Sequence, residues 1–363
     1  MASKTKVITK VVLFLLLCGI AGFSCGQSAQ ETLTYYGMSD ASAAVAVGDE
    51  MFIVADDEDN ILRVYKTNQS SLPVFSYDLT PFLGIEPGYP EADIEGATML
   101  GDTVYWITSH GRNRDGKMRP NRYRFFAVKV EFQNQNISIH PVGFPCRTLI
   151  HSLIKAENMR HLGLDQATRF DAKKLTKQQL KNLAPNENGL NIEALCASAD
   201  GNTIYIGFRN PRPDSKAIVV PLNNPRQVIE KQQPPIFADP LLWDLKGFGI
   251  RSMEYSPFHK TYFIVAGPHN GRPAEFALYR WSGRRDESPL FVQQIQSGFS
   301  AEALVPFKNS DKLLLLSDDG TLVIDVSDAS ECMQGRLRDD GKCLNKYLAN
   351  PAKKHFRAIW LQP

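Results

Sequence analysis

Apolar positions along this chain fall in short runs of β-forming residues separated by turns, and no long stretch carries the three-to-four spacing of an extended amphipathic helix. Five segments repeat one pattern: an apolar run, a turn and a second run rich in Val, Ile, Leu, Phe and Tyr. They are "ASAAVAVGDEMFIVADDEDN" from Ala41, "IEGATMLGDTVYWITSHGRN" from Ile94, "IEALCASADGNTIYIGFRNP" from Ile192, "IRSMEYSPFHKTYFIVAGPHN" from Ile250 and "AEALVPFKNSDKLLLLSDDG" from Ala301. A repeated strand-turn-strand unit of this length predicts a β-propeller, because each four-stranded blade needs neighbours to cover its apolar faces. In the second unit "YRFFAVKVEF" and "ISIHPVGF" supply a third and a fourth strand. The expected fold is all-β, a propeller with five blades favoured and six as the rival count. Its closure would remove open sheet edges.

The second residues of the units stand 53, 98, 58 and 51 residues apart. The long interval predicts a partly helical insertion around residues 146–190, where "TKQQLKNL" has helical character and "APNENG" is a stop. "IHSLIKAENMRHLGL" places Ile150, Leu153 and Ile154 on one side, as a cap or lid over the sheets would. A TIM barrel is disfavoured for want of regularly alternating helices.

The N-terminus changes the setting. Lys4, Lys6 and Lys10 precede "VVLFLLLCGIAG", the basic and apolar regions of an export signal. The expected organisation is a signal peptide over residues 1–26 and one propeller domain over 27–363, secreted or periplasmic. Lipid attachment at Cys25 is the alternative. No later apolar run is long enough for a bilayer crossing, so no integral membrane segment is expected. Cleavage would take three lysines from 41 basic residues and nothing from 39 acidic ones. A near-neutral mature chain gives no general reason to bind nucleic acid. Export also permits a disulfide, and Cys332 and Cys343 in "SECMQGRLRDDGKC" are the candidate pair.

Candidate chemistry lies at two positions of each unit that emerge on one face of a propeller. At the strand entry stand Ser42, Glu95, Glu193, Arg251 and Glu302, with Asp40 and Asp93 two residues before the first two. After the second strands stand Asp56, Asp57, His110, Arg112, Arg114, Arg209, Arg212, His269, Arg272, Asp318 and Asp319. Oxygen donors around one opening suit a hard cation, so Asp93, Glu95, Glu193 and Glu302 are metal candidates and calcium is the ion considered. Guanidinium forks suit phosphate or carboxylate, making Arg112, Arg209, Arg212, Arg251 and Arg272 candidates for a small anionic ligand. His110 and His269 occupy corresponding loops and are candidates for acid or base catalysis. Each has a plainer reading: the glutamates can pair with Arg251 and hold the blades together, and acids in "ADDEDN" and "SDDG" can close turns.

The stretches "GMSDASAAVAVGDEMFIVADDEDNILRVYK" and "DIEGATMLGDTVYWITSHGRN" resemble a family of bacterial, often exported proteins built around a domain of unknown function numbered 3616. More distantly, "DIEG" followed by strand, turn and strand is similar to esterase-like and phytase-like propeller proteins. That resemblance implies a repeated β fold and suggests phosphoester or other ester hydrolysis. Arg251 and Ser42 depart from a simple ring of identical acids. The expected function is a ligand-binding or interaction propeller, metal-assisted, with a small anionic ligand or a protein as partner; the alternative is a metal-dependent phosphoesterase or related ester hydrolase.

Overall fold

The computed structural model describes residues 31–133, 136–186, 188–271 and 275–363. The expected signal peptide and Cys25 lie outside the described residues, as does Arg272.

Each of the five segments forms the first hairpin of a four-stranded antiparallel sheet. The first sheet contains Ala41–Ala46, Met51–Asp56, Ile61–Lys66 and Phe75–Asp78. The second contains Ile94–Leu100, Thr103–Thr108, Phe125–Gln133 and Asn136–Cys146. The third is built from Asn191–Ala197, Ile204–Asn210, Ala217–Leu222 and Leu241–Trp243. The fourth is built from Gly249–Ser256, Thr261–Gly267, Ala277–Trp281 and Leu290–Gln294. The fifth takes Ala301–Pro306, Leu313–Ser317 and His355–Leu361 from the C-terminal part and its outer strand, Thr32–Tyr36, from the other end of the described chain. Thr32 pairs opposite Ile359 and Tyr36 opposite His355.

Side chains, rather than strand ladders, join these sheets. First and second sheets share Val45, Ile53, Val64, Trp106 and Phe126. Second and third share Tyr105, Phe125, Leu195 and Phe208; third and fourth share Trp243, Tyr262 and Trp281. Phe263, Val265, Leu304 and Ile359 lie between fourth and fifth, and Tyr35, Phe52, Tyr65, Leu314 and Phe356 between fifth and first. Such contacts release apolar surface from water at roughly 25 cal/mol per Å². The glycine at 96 permits one close approach: a Cβ there would lie 2.9 Å from the Leu195 backbone nitrogen.

The β-propeller expectation, with five or six blades and closure that removes edges, is corrected here. Among the described residues no sheet closes into a barrel, no ladder links one four-stranded sheet to the next, and each keeps an outer edge strand. The ladder hydrogen bonds stay within each sheet, and side-chain faces do the joining, helped by single bonds such as those from the Ile192 amide to the Ser109 carbonyl and from the Ala197 amide to Thr98 Oγ1. Between sheets the strand-type contact is an isolated bridge, Asp40 to Asp318. The chain is an all-β assembly of five open sheets with a small helical content.

In the predicted insertion, helices form at Leu149–Lys155, Leu164–Thr168 and Lys177–Asn182. Thr176 caps the last through reciprocal bonds with Gln179. Leu149, Ile150, Leu153, Met159 and Leu162 are buried against the apolar layer of the second and third sheets. A two-stranded ribbon, Val323–Ile324 with Cys343–Leu344, precedes the last strand, and the Cys332–Cys343 disulfide staples it.

Candidate functional site

The five first strands share a local irregularity. Their register with the second strand slips between Ala41 and Ala43, Ile94 and Gly96, Ile192 and Ala194, Ile250 and Ser252, and Ala301 and Ala303. The residue skipped by the ladder is Ser42, Glu95, Glu193, Arg251 or Glu302. A bulge leaves one residue unpaired and re-aims its side chain. The repeated polar position in the sequence is therefore a repeated backbone defect.

These side chains form two differently balanced sectors. In one, Arg251 bridges two buried glutamates: its Nη1 lies 3.0 Å from Glu193 Oε2, its Nε donates to Glu302 Oε2 at 2.9 Å, and its Nη2 also reaches Glu302. Arg209 Nη1 lies 2.5 Å from Glu193 Oε1, which also accepts from Asn191 Nδ2 at 2.6 Å. Glu193 and Glu302 thus each meet at least one guanidinium.

The other sector is crowded with carboxylates. Asp40, Asp57 and Glu58 bring ligand oxygens within 4.8 Å of one another, as do Asp57, Asp93 and Glu95. Both sets are spaced to coordinate a divalent cation, and Asp57 belongs to both. Asp57 Oδ1 is buried with no hydrogen-bond partner. Gly320 closes over Asp40 so tightly that an added Cβ would sit 1.7 Å from Asp40 Oδ1. The cations present are peripheral: Arg122 pairs with Glu91 and, at 2.9 Å, with Asp93, while Lys346 pairs with Glu58.

Burial, reinforced by neighbouring carboxylates, raises the pKa values in this sector. Asp40 is pushed up to about 9 by burial and then by Asp318 and Asp56. Burial raises Asp56 to about 7, with Asp59 adding to it, and raises Glu91 to about 7, with Asp93 adding to it. Asp57 and Glu95 are held well above the usual carboxylate range by burial first, then by Asp40 and Asp93 respectively. Asp318 is raised by burial, against the Gly320 amide that favours its charged form. Like charges held this close resist simultaneous ionisation, and a bound cation would relieve that resistance.

The remaining sequence candidates divide clearly. Arg112 is buried and braces the insertion, donating to the carbonyls of Thr168, at 2.8 Å from Nη2, and Gly116, at 3.1 Å from Nη1. Arg212 donates to the Gly247 carbonyl. His110 is buried with Nδ1 2.8 Å from the Thr108 carbonyl, and burial pushes its pKa down to about 4. Its ring also packs edge-on against Tyr123. The His269 carbonyl accepts from Asn210 Nδ2 at 2.9 Å. The acidic pairs differ in role: Asp319 accepts from Arg357, Asp57 and Asp318 join the crowded sector, and Asp56 closes a turn on the Glu58 amide while adding its charge to that sector. Glu58, Glu91 and Lys346 were not singled out from sequence. Their placement depends on loops meeting across the fold, and Lys346 comes from far along the chain beside the disulfide ribbon.

Residues 40–313 match the model of a family described as a protein of unknown function, DUF3616. The chain belongs to this family. The matched span takes in both sectors except Lys346, Asp318 and the last strand. No curated protein matches the chain. Among solved structures, it is similar to the glutaminyl cyclase of Myxococcus xanthus, with 10% identity, TM-score 0.40, and coverage of 78% of this chain and 88% of that one. A putative oxidoreductase (glucose dehydrogenase) of Thermus thermophilus shows 13% identity and TM-score 0.40, covering 92% and 100% of the respective chains. Similarity at this level carries no argument about what the DUF3616 chain binds or does. No helix among the described residues is long and apolar enough to cross a membrane.

Proposed function

We propose that the crowded sector is a calcium-binding mouth that serves recognition of an anionic ligand or protein surface by a secreted or periplasmic protein. The observation that carries this reading is Asp57, common to both carboxylate sets and holding one buried oxygen without a hydrogen-bond partner. Hard carboxylate oxygens on loops suit calcium, which tolerates irregular coordination better than magnesium does. The Cys332–Cys343 disulfide supports an oxidising location.

Binding is favoured over hydrolysis because the guanidinium groups near the acids are already committed: Arg209 and Arg251 to Glu193 and Glu302, and Arg122 to Glu91 and Asp93. A phosphoryl clamp would require them to exchange partners. His110, buried and held against the Thr108 carbonyl, contacts none of these carboxylates.

The test is titration calorimetry of the chelator-treated mature protein with calcium and with magnesium, repeated on Asp57→Asn and Glu95→Gln. The expected result is saturable calcium binding that both substitutions weaken. No binding up to about 1 mM, the weak end for extracellular calcium modules, would overturn the reading. Calcium-dependent turnover of p-nitrophenyl phosphate, lost with Asp57→Asn, would transfer support to the hydrolase alternative.

A further inference from the structure

The far ends of the same first strands enclose a second feature. Val45, Met99, Ala197, Tyr255 and Pro306 come from five different sheets and line a cavity of about 540 Å³ together with Glu254. The acidic mouth gathers residues from the beginnings of these strands, so the two features lie at opposite strand ends.

Glu254 is foreign to this wall. It is 8% exposed, and its Oε1 is buried with no hydrogen-bond partner. Oε2 receives a long bond, 3.4 Å, from Thr98 Oγ1, and the neighbouring Tyr255 amide also favours the charged form of this carboxyl. That hydroxyl also accepts from the Ala197 amide at 2.8 Å. Nearby Cys196 does not complete the set, because its thiol donates to the Ala197 carbonyl. Among the described residues no salt bridge reaches Glu254; Lys308 and Asp49 also line the cavity, both exposed, and Asp49 is engaged by Asn309. A buried carboxyl left this far from a counterion is costly unless a guest completes its hydrogen bonds.

We propose that this cavity binds an organic ammonium group, with its N–H donors on Glu254 and its hydrocarbon body along the apolar wall. The missing donor, together with the negative charge that Glu254 takes up as it gives away its proton, selects an amine over an acid, and the wall selects a ligand with an apolar body over a bare ion. The inference is independent of calcium at the mouth. It also has a proton signature. Burial raises Glu254 well above the usual carboxylate range. An incoming alkylammonium would keep its own proton, and the carboxyl proton would pass to buffer as the ion pair forms.

The experiment is calorimetric titration of the intact mature protein with phenethylamine and with 2-phenylethanol, a neutral probe of the same shape, in two buffers of different ionisation enthalpy. The amine is expected to bind and to release a proton. Glu254→Gln should weaken it about tenfold or more, the factor associated with losing a hydrogen bond to a charged group. Met99→Trp, which narrows the cavity and leaves the carboxyl in place, should weaken binding, while Asp57→Asn should leave it intact. Melting curves establish that the variants are folded. Equal binding of amine and alcohol, survival of amine binding in a folded Glu254→Gln protein, its loss with Asp57→Asn, or no amine binding to the wild type would each overturn the proposal.

Discussion

Glu95 and Glu193 occupy the same bulged position in adjacent sheets, yet they live in opposite electrostatic surroundings. Glu193 is met by Arg209 and Arg251. Glu95 faces Asp57 and Asp93, whose oxygens stand within coordination distance of its own. The backbone device is shared, so the difference lies in what the neighbouring units supply. Where the fourth unit places Arg251 instead of an acid, its guanidinium bridges two glutamates, Arg209 supplies the second positive charge, and the sector becomes internal structure. Where the first unit places Ser42, the bulge supplies no cation: its hydroxyl donates to the Ile94 carbonyl at 2.5 Å, and among the described residues Asp40, Asp57 and Glu95 are left without an ion pair, while Asp93 and Glu58 pair with Arg122 and Lys346. A repeated residue at a repeated position thus has no fixed role; the residue in the next sheet decides it.

The strongest way to break this contrast is to make the paired sector resemble the crowded one. Arg251→Met leaves Glu193 and Glu302 buried, with Glu302 stripped of the cation described for it. Breaking a buried ion pair from one side costs about 3–5 kcal/mol. Urea denaturation at neutral pH should show a loss of that order. A loss below about 1 kcal/mol, the range of a surface pair, would mean that the triad contributes no more than exposed charges do.

Acid should sharpen the contrast from the other side. Asp40, Asp56 and Glu91 have folded pKa values raised to about 9, about 7 and about 7. In the unfolded chain such groups titrate near 4, so between these limits the folded state holds more protons than the unfolded one. Their contribution is fully present below about pH 4 and is lost as pH rises through about 7 and then about 9. Because these groups interact, the loss belongs to the set and not to one residue. In chelator, the protein should be less stable at pH 8 than at pH 5 by several kcal/mol, the carboxylate loss outweighing the smaller opposite contribution of buried, neutral His110, measured by denaturant midpoint. Calcium should flatten that slope. A chelated protein that gains stability over the same interval would show that the carboxylates are compensated after all.

Asp57→Asn should then produce the reverse of an ordinary buried substitution. Removing one negative charge from the crowded sector relieves repulsion on Asp40 and Glu95, and the chelated protein should gain about 1 kcal/mol at pH 8, near the value of one pKa unit. The same variant should lose the thermal stabilisation that calcium gives the wild type. Destabilisation in chelator would mean that the unpartnered oxygen of Asp57 is structurally required, and the comparison with Glu193 would fail.

Much of this organisation was legible in the chain. Strand-turn-strand patterning located the first hairpin of every sheet, and alignment of those hairpins alone brought Ser42, Glu95, Glu193, Arg251 and Glu302 to equivalent positions. Alignment could not show that the shared feature is a bulge, because a one-residue slip leaves no compositional mark. Nor could it separate Asp57 from Asp56, or Asp318 from Asp319. Each pair is chemically identical, and only the alternation of side-chain direction in the turn decides which member braces the loop. The edge-free closure expected of the sheets was wrong for a related reason: hydrophobic pattern records which faces are covered, not whether strands are hydrogen-bonded across a junction. Glu254 was equally hidden. In "RSMEYS" it looks like an ordinary polar residue of a strand, and its burial follows from the convergence of five sheets.

The smallest expected effect tests the peripheral cation. Lys346 pairs with Glu58; burial works against its charge, but Glu58 and then Asp40 and Asp57 outweigh that and raise its pKa. It is held in place by Asn345, whose amide donates to the Asp319 and His355 carbonyls, at 3.0 Å and 2.6 Å. As a lysine tied to the carboxylate set containing Asp40, Asp57 and Glu58, it occupies part of the role assigned to a metal ion. Lys346→Met should therefore move two observables in opposite directions. The chelated protein should lose about 0.5–1 kcal/mol, as expected for a partly exposed ion pair. Calcium affinity should rise severalfold, because a competing positive charge near the site is gone and Glu58 is released to coordinate. If calcium affinity falls together with stability, Lys346 positions the mouth instead of competing for it, and the two sectors would then share the same design: carboxylates held in place by built-in cations.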